Sequence, residues 1–207
     1  YCHHAIGDRG WHIAGQCYTQ HPMVVAMPFA HAWRNATGTE VTAEQHLGWF
    51  LGQAAMRTVF APDWVRMHDY GRGGGPVGVD LFGRGFDSVP PDIRPAVLWA
   101  WQRTTDLTEK KHFNAPEGAV ESLDPVSAAF TFVNWPAGLR PEAVLPRAMV
   151  DTQRLGYTMR NRWQDGDDIV ALFTGFCHPG GDWLCEGAAL DLRLMGLGGE
   201  WIVRGNG

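Results

Sequence analysis

The spacing of apolar residues changes character once along this chain, and that change fixes its fold class. In the first half the spacing is helical: Leu47, Phe50, Leu51 and Ala54 fall on one side of a helix. That helix opens at Thr42, with Gln45 in capping-box register, and ends before Pro62. An earlier run over 23–33 is apolar nearly all round, which predicts an interior helix. Pro22 suits its first position, Pro28 should kink or split it, and Gly38 should stop it. A third helix is expected over about 91–104, with Val97, Leu98 and Trp101 on one side. Beyond a polar stretch over about 106–125, the pattern predicts strands. They fall at 128–133 with Phe130 and Phe132 on one face, 157–163, 169–174, 190–194 and 200–204. The fourth alternates leucine with charge, so its leucines should point inward. Helices first and antiparallel strands after make an α+β chain, helical over 1–115 and antiparallel over 116–207.

The bulk numbers exclude several classes of function. At 207 residues, 45% apolar and 19% charged, the chain can bury one substantial core or two small ones. A net charge of -5 argues against a nucleic-acid binder, although a few local arginines can still hold an anion. There is no apolar run long enough for a membrane span, and no cleavable apolar segment at the start. An opening Tyr-Cys-His-His without Met suggests either removal of an N-terminal segment or part of a longer polypeptide, and the Gly-Asn-Gly end suggests truncation there too. The 26 Gly and 10 Trp stand out, pointing to loop-rich structure with aromatic platforms, although indoles also fill cores. Four cysteines show no C-x-x-C spacing. Cys177 and Cys185 flank a Pro-Gly-Gly turn and could pair across it or stay as thiols.

The chemistry-bearing residues gather in a few places. Residues 10–22 put Trp11, His12, Tyr18 and His21 into a glycine-bearing loop leading into the first apolar run. That mixture offers proton-transfer groups beside an aromatic surface on which a sugar could stack. Structural histidines and a packing phenol are the plainer alternative. The loop over 67–76 holds Tyr70 and sets Arg72 between glycines, where a guanidinium can fork onto a carboxylate or sulfate. It lacks the Lys-Ser/Thr of a phosphate loop. Arg160 and Arg162, two apart on a strand, share a face that could line an anionic groove or simply be solvated. Asp8, Asp69, Asp80 and Glu186 could include a glycosidase-type carboxylate pair, though no spacing singles out two of them. Asp167 and Asp168 read as a turn, and His3, His4 and His12 make a poor metal set.

The segment Gly10-Trp11-His12-x-x-Gly15-x-x-Tyr18, the stretch 156–170 and the later Leu-x-Leu strand with Gly198-Gly199-Glu200-Trp201 resemble the heparinase II/III-like polysaccharide lyases. The resemblance implies an incomplete α/α toroid followed by a β-sandwich, acting on an anionic polysaccharide in the periplasm or outside the cell. It also implies β-elimination across a uronate, with Tyr18 as base and acid, His12 or His21 assisting, and Trp11, Tyr70, Arg72, Arg160 and Arg162 binding substrate. The family's His-x-His zinc pattern is not matched: His178 stands where two histidines are expected, so no cofactor is expected and His178 is the one metal candidate. The family's upstream Asn-His pair would precede residue 1 or is missing. A uronate epimerase shares the first proton abstraction. A non-catalytic glycan-binding or structural fragment and a glycoside hydrolase on a related scaffold remain alternatives.

Overall fold

The computed structural model describes residues 6–12, 15–41, 46–61, 65–67, 79–106, 125–175 and 191–202. Helix α1 runs Gly15–Thr37 and α2 runs Leu47–Arg57, followed by a short antiparallel hairpin, β1 (Thr58–Phe60) with β2 (Val65–Met67). Then come α3 (Val79–Gly85), a 3-10 turn (Phe86–Ser88), α4 (Arg94–Asp106) and α5 (Pro125–Asn134). Five strands complete the chain: β3 (Ala148–Asp151), β4 (Gly156–Arg160), β5 (Val170–Thr174), β6 (Asp191–Gly196) and β7 (Gly199–Ile202). They form one antiparallel sheet in sequence order, so the chain is α+β. Among the described residues no helix is long and apolar enough to cross a membrane.

Helix α1 departs from expectation at Pro22, which is not its first position, and is not split at Pro28. It begins at Gly15 and runs through Pro22 and Pro28 as one element. Each proline forfeits one backbone hydrogen bond. Burial of Met23, Met27 and Ala30 along one side anchors the helix regardless. Nor is α1 immersed all round, because Val25 is 70% and Phe29 62% exposed. Gly38 does end it, in the left-handed conformation that lets its N–H reach the Arg34 carbonyl at 2.8 Å. The interior helix is α2, where only Trp49 keeps some exposure and even Gln53 and Arg57 are sealed. In α4, Val97, Leu98 and Trp101 are buried, as their spacing predicts.

The strand expected over 128–133 is a helix. Pro125 occupies the first position of α5, where a missing N–H costs nothing. The Phe alternation misled because Phe132 is 86% exposed rather than facing a core. Helix α5 is held through its other side, where Thr131 lies against Gly83 and Asn134 donates to the Gly83 carbonyl at 2.6 Å.

Strand alternation sets two sheet faces. Met149, Asp151, Gly156, Thr158, Arg160, Val170, Leu172 and Thr174 point inward, in register across three strands. This face packs on α2, where Thr158 Oγ1 donates to Gln53 Oε1 at 3.0 Å. Val150, Met159 and Leu192 lie on the opposite face and are each about two-fifths exposed. In β6 the expected orientation is reversed. Arg193 stands opposite Leu172 and Asp191 opposite Thr174, so the charged pair shares the inner face while Leu192 points out. Cross-strand register overrides polarity here, and the two charges pair with one another at 3.3 Å. Leu197 and Gly198, both at positive φ, close the two-residue turn between β6 and β7.

Candidate functional site

The segment from Ile6 to His12 folds back on itself through an antiparallel bridge between those two residues. The Gly7 N–H bonds the Trp11 carbonyl at 2.8 Å, and Gly10 turns the chain at a φ of 78°. A side chain at Gly10 would strike the Trp49 backbone in α2, so this glycine permits close docking. Two carboxylates fasten the segment to the β3–β4 turn. Asp151 Oδ2 accepts the N–H groups of Arg9 at 2.9 Å and Trp11 at 3.0 Å. In return Asp8 Oδ1 accepts the N–H groups of Thr152 at 2.8 Å and Gln153 at 3.2 Å.

Docking buries Trp11 and His12. The Trp11 indole is 5% exposed, packed against Gly156 on one side and beneath the Arg57 guanidinium, 3.9 Å from the ring centroid. Away from water such a cation–π contact is worth about 2 kcal/mol. His12 is 2% exposed. Burial, then the charges of Arg154 and Arg57, pulls its pKa down to about 4. At neutral pH the ring is therefore uncharged and keeps an acceptor nitrogen. The arrangement combines a neutral imidazole with two guanidiniums where α2 meets the sheet.

Arg160 projects from the inner sheet face onto the C-terminus of α2. Its Nη1 donates to the carbonyls of Ala55 at 3.4 Å and Met56 at 3.2 Å in the last turn of α2 and of Thr58 at 3.0 Å just past it. Nε bonds the Arg162 carbonyl at 2.8 Å, and Nη2 meets Asp168 Oδ2 at 2.9 Å. Burial lowers its pKa to about 10 against the opposing pull of Asp168, so it stays charged at neutral pH. All three nitrogens are engaged, and the residue sits under the surface rather than along a groove. Arg162 lies beyond the strand end, half-buried, with Gln164, Asp165 and Asp168 as partners.

The sequence-derived residues thus separate. Trp11 and His12 come together in the docked segment, and Arg160 acts as a clamp some way along the same sheet face. Tyr18 lies in the first turns of α1, three positions before the exposed His21. The Tyr18 side chain, the loop bearing Tyr70 and Arg72, and His178 lie outside the described residues, as do Asp69, Glu186, Cys177 and Cys185. Of the carboxylates considered, Asp8 has a carboxylate neighbour, Asp151. Sequence reading missed Asp151, Arg154, Arg57 and Gln53, and placed Asp168 in its turn without its Arg160 partner. One signal was readable: Gln53 and Arg57 stand four apart in an otherwise apolar helix, a spacing that points both polar groups the same way. The chain matches no protein-family model and no curated protein sequence.

Proposed function

We propose that this chain is carbohydrate-directed, a polysaccharide lyase that cleaves uronate-containing glycans by β-elimination in the periplasm or outside the cell. The observation that carries the reading is the docked Trp11–His12 segment. It holds an imidazole uncharged at neutral pH beside Arg57 and Arg154, directly before the helix that carries Tyr18 and His21. Helices followed by an antiparallel sheet also fit an incomplete α/α toroid with a β-sandwich.

In the proposed reaction Tyr18, as phenolate, takes the proton from the carbon beside the uronate carboxylate. The electron pair forms a carbon–carbon double bond as the glycosidic carbon–oxygen bond breaks, and the phenol returns the proton to the leaving oxygen. His12 or His21 assists the phenol. Arg72 and Arg162 hold the carboxylate, and Arg160 supports the frame instead of the substrate. The test is incubation of the protein with uronate polysaccharides while ultraviolet absorbance is followed. A lyase accumulates an unsaturated product, and Tyr18→Phe abolishes it. Full-rate elimination by that variant overturns the assignment, and reducing ends without absorbance point to a hydrolase.

A second reading, a glycan-binding or structural fragment, draws support from burial. Trp11, His12 and Arg160 are 5%, 2% and 4% exposed, which suits a frame better than a cleft. Retention on an immobilised uronate glycan without any unsaturated product distinguishes this reading from the first.

A further inference from the structure

Helix α2 reaches the surface at one residue, Trp49, and Arg9 of the docked segment covers it there. The Arg9 guanidinium carbon stands 4.3 Å from the centroid of the Trp49 ring, while Arg9 itself is exposed. Its backbone is fixed on both sides: the Arg9 N–H donates to Asp151 Oδ2 at 2.9 Å, and Gly10 lies against the Trp49 backbone. The neighbouring acids are committed elsewhere. Asp8 accepts the N–H groups of Thr152 and Gln153, and Asp151 those of Arg9, Trp11 and Arg154. Among the described residues no carboxylate pairs with the Arg9 side chain. By contrast Arg34 meets Asp87 and Glu40, Arg162 meets Asp165 and Asp168, and Arg193 meets Asp191.

We propose that Arg9, held over Trp49, is a carboxylate-binding subsite that forks onto a uronate of an acidic glycan beside the Trp11–His12 segment. The subsite rests on the uronate-directed reading given above and adds to it a residue that reading does not use. A guanidinium set over an aromatic face still has the N–H groups at its edge, and these match the two oxygens of a carboxylate. Contact with the ring restricts the long side chain before any ligand arrives, which removes part of the ordering cost of binding. The whole chain carries a net charge of -5, so a cation left without an acid is a local exception that draws an anion to that point. A neutral sugar gains nothing from the fork. The competing anion is a sulfate ester, which offers the same charge on a tetrahedral group.

Affinity electrophoresis of the full chain at physiological salt, in gels holding polygalacturonate, dextran sulfate or neutral dextran, tests the subsite. Arg9→Met keeps an aliphatic stem on Trp49 and removes the fork, so affinity for polygalacturonate should fall about tenfold or more. Migration in neutral dextran should match the wild type. Arg140→Met, at an exposed arginine between α5 and β3, removes the same charge and should leave polygalacturonate affinity within about twofold. Equal losses in the two variants overturn the subsite, because net charge then explains both. Undiminished affinity in Arg9→Met overturns the subsite alone and leaves the uronate-directed reading standing. A wild type that polygalacturonate does not retard overturns both. A loss confined to dextran sulfate overturns the uronate assignment in favour of a sulfate ester. Should Arg9→Met not fold, Arg9→Lys decides, since it keeps the charge without the fork. A severalfold loss in that variant supports the forked contact, and wild-type affinity overturns it.

Discussion

Arg160 Nη2 and Asp168 Oδ2 meet at 2.9 Å with their side chains 0% and 2% exposed. The pair joins the sheet to the last turn of α2, because the same guanidinium takes up three carbonyls there. Removing Asp168 leaves the Arg160 guanidinium buried with carbonyl acceptors alone, whereas removing Arg160 leaves Asp168 with Arg162 Nε at 3.2 Å and the Gln164 N–H at 2.9 Å. Asp168→Leu should therefore lower stability by about 3–5 kcal/mol in chemical denaturation, and Arg160→Met/Asp168→Leu should recover part of that loss.

The buried His12 makes stability depend on pH. Its folded pKa of about 4 lies below the ordinary histidine value of 6.5, so the unfolded chain binds the extra proton first. Stability should fall as pH drops from about 6.5 toward 4, by on the order of 3 kcal/mol over the whole interval. Urea titrations of wild type and His12→Gln at pH values within that interval isolate the effect, since the amide removes this component.

Gly156 and Gly199 should respond differently to alanine. A Cβ at Gly156 would land in the Trp11 ring, whereas nothing lies within 4 Å of one at Gly199. Gly156→Ala should cost about 1–3 kcal/mol through displacement of the indole. Gly199→Ala should stay within about 0.5 kcal/mol, and thermal midpoints compare the two.

The outer sheet face is open at Met159, which is 42% exposed. Met159→Lys should therefore alter stability by less than about 0.5 kcal/mol in denaturant titrations. A loss of several kcal/mol would mean that a second layer covers this face, as a full sandwich requires.

Patterns carried by one element were legible in the sequence, while those set by partners were not. Val97, Leu98 and Trp101 disclosed α4 because burial and helical period coincide there. Phe130 and Phe132 suggested a strand because alternation presumes a buried face, and α5 leaves Phe132 in solvent. The leucines of β6 pointed the wrong way because register with β5, not hydrophobicity, decides which side faces inward. At the site, the 10–22 stretch was singled out, yet the burial of Trp11 depends on Asp151 and Gly156, more than a hundred residues away. Asp168 read as half of a turn because nothing local reveals that Arg160 reaches it.

Immersion of α2 on all sides has a consequence for how the molecule can be divided. Its upper neighbours come from the amino-terminal half, and its floor is laid by Thr158 and Arg160 from the other. A cut between the halves would take Thr158 from Gln53 and expose the apolar side of α2 that the sheet covers. Each piece made alone should be insoluble, and the intact chain should melt in a single step.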